Sequence, residues 1–186
     1  MSATSAERDF AARQLVESRD RLMALVRGLT AEQLDYKPAP DRWSVAENLE
    51  HVTLVEKRAY GLIQVALSQP ADPSRHSGFP GGDETLIRML RDRSHPRRGP
   101  EQIQPKGQWP HAQLFTEFET ARSRTCELLA NTPADLRARL SPHPLFGELD
   151  CYQWFLVLGA HCDRHCAQAE EVIASEGFPR AAAAAI

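Results

Sequence analysis

His161 and His165 stand four residues apart in the stretch "HCDRH". On an α-helix that spacing separates two side chains by about 40° and one turn, so both imidazoles can aim at one point. Such a pair is half of a metal site. The alternative is two core-edge histidines, each hydrogen-bonded to a neighbour, and a third ligand from another helix decides between the two. Of the 7 histidines, His76, His95, His111 and His143 lie in or beside Pro/Gly-rich connections, where solvation is the plain expectation. His143, on a loop entering the last helix, is also a candidate for a pocket mouth. Only His51 projects from a different helix near its buried side. Three imidazoles from two helices leave coordination positions open, the arrangement in which a bound water reaches a pKa of about 7 or a thiol is activated.

Other chemistry-bearing residues surround this set. Glu47 precedes His51 by one turn, where it could orient the imidazole, bind metal or act as a general base, although a capping role also explains it. Gln168 continues the line of the histidines and could hydrogen-bond a ligand or a water. Cys162 and Cys166 repeat the four-residue spacing but sit about 60–100° away on the helical wheel, so they read as small buried hydrophobes before they read as zinc ligands or reactive thiols. Asp163 and Arg164 are expected on a solvated face. Trp43, Tyr152 and Trp154 are expected to be packing residues.

Positioning these side chains requires long helices. Apolar or small residues at Phe10, Ala11, Leu15, Ser18, Leu22, Leu25, Val26 and Leu29 recur at helical steps and predict a first helix over about residues 5–29. "TAEQLDYKPAPDRW" reads as a connector with one short helical turn. Ser44 and Glu47 form a capping box that opens a second helix, about 44–69, with Val45, Asn48, Val52, Val55, Ala59, Leu62 and Ala66 on its inward stripe. A crossover of about 40 residues follows, rich in Pro and Gly, with "ETLIRML" as a short helix inside it. "HAQLFTEFETARSRTCELLAN" is the third long helix, with Leu114, Phe118, Ala121, Thr125 and Leu128 inward. "TPADLRARLSPHPLFGEL" reads as irregular. Asp150 and Gln153 then cap a fourth helix, on which Trp154, Leu158, His161, His165, Gln168 and Val172 form the seam. Four long amphipathic segments without an alternating strand pattern predict an all-α four-helix bundle with a long crossover.

The 186 residues suit one domain, here 1–180, with 181–186 as a frayed tail. With 22 Lys+Arg against 25 Asp+Glu the formal net charge is -3, which argues against a partner held through phosphates. No apolar run is long enough to span a membrane and the N-terminus lacks a signal-peptide pattern, so a soluble cytoplasmic protein is expected, with its 4 cysteines mostly reduced.

Two blocks carry a family resemblance: "PAPDRWSVAENLEHVTLVEKRAYGLI" and "PHPLFGELDCYQWFLVLGAHCDRHCAQAEEV". Trp-Ser ahead of a helix with Glu and His, then His-Pro, Phe-Gly and H-x-x-R-H-x-x-Q, resemble the DinB/YfiT-like superfamily of metal-dependent enzymes over nearly the whole chain. The resemblance implies that His51, His161 and His165 are a metal triad for a divalent transition ion, zinc or nickel. It further implies a small-molecule substrate, with a low-molecular-weight thiol such as bacillithiol, mycothiol or glutathione as cosubstrate. Thiol-dependent S-transfer or hydrolysis is the expected chemistry, homodimerisation an expected state, and a non-catalytic metal- or small-ligand-binding stress-response bundle the alternative. The sequence departs from the family pattern at Cys162, where an Asp is expected.

Overall fold

Four helices of this chain begin with the same reciprocal device, in which a side chain caps the third helical N–H and the residue at that position returns the bond. The pairs are Thr4 with Glu7, Thr30 with Gln33, Ser44 with Glu47, and Asp150 with Gln153. They start α1 (Ser5–Val26), α2 (Ala31–Asp35), α3 (Val45–Ser68) and, after the intervening elements, α6 (Cys151–Ile173). α4 (Gly82–Arg91) lies in the crossover, as does a 3-10 turn at Glu101–Ile103, and α5 (His111–Asn131) follows. The computed structural model describes residues 2–72, 79, 81–94 and 99–180; His76, His95 and the 181–186 tail lie outside them.

α1, α3, α5 and α6 form the four-helix bundle, with α6 packed between α1 and α3 and α5 closing the ring between α3 and α1. Their lengths and stripes follow the predicted helices closely. α1 stops at Val26 rather than near residue 29, because the chain turns at Gly28 to enter α2. α3 turns its inward stripe slightly from the predicted one: Leu49, Thr53, Glu56 and Ile63 are buried, while Val55 and Leu62 are half-buried.

The region 132–149 is not irregular throughout. Leu140–His143 (β1) and Gly147–Asp150 (β2) pair antiparallel, with Leu140 opposite Asp150 and His143 opposite Gly147. Gly147 closes the turn at φ 72°, the left-handed region that glycine enters freely. Pro142 and Pro144 hide this hairpin from a pattern search, since proline is tolerated only where no ladder N–H is needed. The Trp154 indole N–H donates to the Ser141 carbonyl at 3.2 Å and fastens the hairpin to α6.

α6 is central. Every residue from Cys151 to Ala160 is buried, because α1, α3, α4 and the hairpin together cover all its faces. The apolar interior falls into two clusters, one around Leu15, Ile63, Leu136 and Phe155 and the other around Leu22, Leu49, Phe118 and Val172. A polar layer separates them. Arg122 on α5 is fully buried and donates to Leu15 O (2.8 Å), Ser18 Oγ (3.0 Å) and Glu56 Oε2 (2.9 Å).

Candidate metal centre

The capped first turns of α3 bring Asn48 and His51 against the middle of α6. There Nε2 of His161 lies 3.2 Å from Nε2 of His51 and 3.2 Å from Nε2 of His165. All three ligand atoms fall within 4.8 Å of one another. Two nitrogens bound to one tetrahedral zinc at its usual bond length would be roughly 3.3 Å apart.

The partners on the far side of each ring determine what these nitrogens offer. His51 Nδ1 lies 2.7 Å from the Ile103 carbonyl, which can only accept, so Nδ1 carries the proton and Nε2 a lone pair. Asn48 donates its amide to Ser44 O at 2.9 Å, which leaves its Oδ1 to accept from His165 Nδ1 at 2.9 Å. His165 Nε2 is therefore a second lone pair. Nε2 of His161 can supply one proton at most, so at least two lone pairs face one point with no more than one proton among the three nitrogens. A cation satisfies that set, and the residues fit a divalent metal on this ground.

Burial pushes all three imidazoles below the ordinary histidine value. For His51 the loss of hydration outweighs the opposing bond to Ile103 O. For His161 and His165 the shift is large: burial comes first, the neighbouring imidazoles add to it, and the positive charge of Arg164 acts in the same direction. The rings are held neutral, the form that ligates.

Part of this arrangement comes from the crossover. Glu50, buried on α3 beside His51, accepts the backbone N–H groups of Lys106 (3.0 Å), Gly107 (2.9 Å) and Gln108 (3.1 Å). Those bonds pin the segment after the 3-10 turn to α3 and so carry the Ile103 carbonyl to His51. Glu50 is a positioning residue that gave no sign in the sequence, since its partners are backbone groups more than fifty positions away. Asn48 did leave a sign, as the lone polar residue of an apolar stripe one turn before His51.

The histidines form part of the wall of a cavity of about 650 Å³, within the usual range for small-molecule sites. Trp43 is more than a packing residue: its ring lies 4.8 Å from that of His51 and stacks on His165 at 5.9 Å. His143 reaches the cavity from the hairpin, with its ring against Trp154 and Phe146. Gln168 lines it too, and its Oε1 is a buried acceptor without a partner among the described residues. Trp154 and Tyr152 are buried as expected.

Glu47 is not brought to the site. Its carboxylate accepts from Ser44 N at 2.8 Å and pairs with Lys37 at 2.9 Å, so the cap consumes it. Asp163 and Arg164 are half-buried rather than solvated. Asp163 pairs with Arg91 of α4, and Arg164 donates to the carbonyls of Leu90 and Asp92. Cys162 and Cys166 are fully buried on the opposite side of α6, both directed at the Ser18 carbonyl, away from the imidazoles.

A helical bundle with a three-histidine centre at one cavity is the class that this fold and site define. The chain belongs to the DinB superfamily, whose family model matches residues 14–169. It is 26% identical over 148 residues to YuaE of Bacillus subtilis (strain 168), an uncharacterized protein, covering 79% of this chain and 87% of that one. Its fold is similar to that of YfiT from Bacillus subtilis, described as a probable metal-dependent hydrolase with an unusual four-helix bundle topology. The TM-score is 0.63 at 16% identity, over 96% of this chain and 92% of YfiT, a likeness of fold.

Proposed function

We propose that this protein is a metal-dependent enzyme acting on a small molecule, with His51, His161 and His165 holding one divalent transition ion, zinc or nickel. The observation that carries the reading is the convergence of three neutral Nε2 atoms, two of them oriented by Asn48 and Ile103 O, on one wall of a cavity. A divalent ion with open positions lowers the pKa of a bound water or thiol toward neutrality and so supplies a nucleophile. Gln168 Oε1 is the acceptor that orients the proton of that nucleophile, and Trp43 shields the histidines from bulk water. The description of YfiT supports hydrolysis. The sequence resemblance supports S-transfer from a low-molecular-weight thiol. The two reactions would share the mode of activation and differ in the nucleophile, water for hydrolysis and a thiol for S-transfer.

The test is elemental analysis of protein purified without a histidine tag, beside the His161→Ala/His165→Ala double variant. One equivalent of metal in the wild type, absent from the variant, supports the site and directs a hydrolase and thiol-transfer screen. Absence of metal from both after reconstitution overturns it. Bound cobalt whose spectrum responds to neither a thiol nor azide supports a non-catalytic binding bundle instead.

A further inference from the structure

The three histidines divide the cavity into two unlike ends. α6 lines it on both sides of them, with Trp154 and Val157 before His161 and Gln168 and Glu171 after His165. Asn48 meets His165 and His51 meets His161, so α3 runs antiparallel to α6. Val55, one turn past His51, therefore falls beside Trp154 and Val157, in the same apolar cluster. The opposite end is charged and faces solvent, where exposed Glu171 bonds both Arg42 (3.1 Å) and Arg93 (2.5 Å). Trp154, Val157, Val55, Pro144 and Leu145 wall the apolar end. From Trp154 to His161 the helix rises about 10 Å, enough for an aromatic ring or a short alkyl chain.

The hairpin closes this apolar end, with β1 against α3 and β2 against α6. The Trp154 indole fastens it through Ser141 O, and Leu145 N donates to His143 Nδ1 at 3.1 Å across its turn. That turn presents Leu145 at the cavity with 61% of its surface exposed. Leu145 thus continues the apolar wall outward to the rim, the arrangement of a groove that receives an apolar ligand.

We propose that the substrate carries an alkyl or aryl body, which lies in the apolar end beneath the hairpin while its reacting group lies at the histidines. The inference rests on the metal-enzyme reading for the place of the reacting group, whereas burial of the body needs no metal. Val55 and Leu145 set the length of the body that fits.

The probes are 1-butanol, 1-hexanol and 1-octanol, neutral molecules that differ only in chain length, titrated into the full chain with and without zinc. Trp154 in the apolar end and Trp43 beside the histidines report occupancy through their fluorescence. Affinity is expected to rise about fourfold for each added methylene, the gain from burying it. Leu145→Ser, at an exposed position, is expected to weaken 1-octanol by about threefold or more and to leave 1-butanol unchanged, because only the longer chain reaches the rim. Val55→Phe fills the end from α3 and weakens both. Val65→Ser, which removes a comparably exposed apolar side chain of α3 outside the cavity, changes neither. Loss of affinity in either cavity variant upholds the inference, and should Val55→Phe fail to fold, Leu145→Ser decides alone. Affinity independent of chain length, no saturation by 1-octanol up to about 2 mM, or a length dependence unchanged in both cavity variants overturns it. Metal content is measured on the same samples. Chain-length dependence in protein that takes up no zinc upholds the apolar end although the metal reading has failed, and zinc-loaded protein without it overturns the inference and leaves the metal reading standing.

Discussion

Asn48 and His165 are joined by a buried hydrogen bond of 2.9 Å from the ring Nδ1 to the amide oxygen, and the same amide donates to the carbonyl of Ser44 at the cap of α3. One side chain thus connects a helix cap to a candidate ligand on another helix. Asn48→Ala is expected to weaken metal binding by about 10–100-fold, the usual effect of removing a group that orients a ligating histidine. Asn48→Asp, which keeps an acceptor for the ring, is expected to lose less. Competition with a chromogenic chelator reads the difference. Unchanged affinity in the alanine variant would show that packing alone orients His165.

Glu50 acts on the opposite ligand through the crossover. Replacing it with Gln turns one acceptor oxygen into a donor and breaks the three-bond cradle over 106–108, at a cost of about 1–3 kcal/mol. Amide exchange at Gly107 should accelerate, and metal affinity should fall because the Ile103 carbonyl no longer holds His51. Exchange at 107 that stays slow in the variant would contradict this account.

The neutral histidines make stability depend on pH in a definite direction. Their folded-state values lie below the ordinary 6.5, so between the two values the unfolded chain binds protons that the folded chain refuses. Stability of the metal-free protein is therefore flat above about pH 6.5 and falls as the pH drops below it, by about 1.4 kcal/mol per pH unit for each proton taken up. Below the folded-state values the loss levels off. Thermal melts between about pH 7.5 and 5 should show a steeper decline for the wild type than for His161→Gln/His165→Gln, and parallel curves would refute the assignment.

The Glu56–Arg122 pair predicts a strong asymmetry between single and double substitutions. Both side chains are essentially buried, and Glu56 Oε1 and Arg122 Nε have no partner among the described residues. Arg122→Met alone leaves a buried carboxylate uncompensated and should cost about 3–5 kcal/mol in urea unfolding. The double variant Glu56→Leu/Arg122→Met should recover most of that loss, since apolar replacements of both partners need no compensation. A double variant as unstable as the single one would mean that the pair is held in place by its bonds to Leu15 and Ser18.

The legible part of this protein was local. Helical spacing exposed α1, α3, α5 and α6, the capping boxes at Ser44 and Asp150 marked where two of them begin, and the three histidines stood out because their spacing places polar rings on an apolar seam. Glu47 misled for the same local reason: its position one turn before His51 is right for a base, but the N-terminal backbone of α3 claims its carboxylate. The hairpin stayed hidden because two four-residue strands, one of them containing Pro142, have too little periodicity to register.

The sequence by itself determined the four long helices, where two of them start and the chemistry available on their faces, because helical period and capping involve neighbours at most four residues apart. Only the tertiary structure decided which of those groups meet. The Glu50 cradle spans 56 to 58 positions, the bond from His51 to Ile103 spans 52, and the meeting of Asn48 with His165 spans 117. Contacts of that separation depend on how helices and a crossover pack to satisfy buried polar groups, and no local periodicity records them.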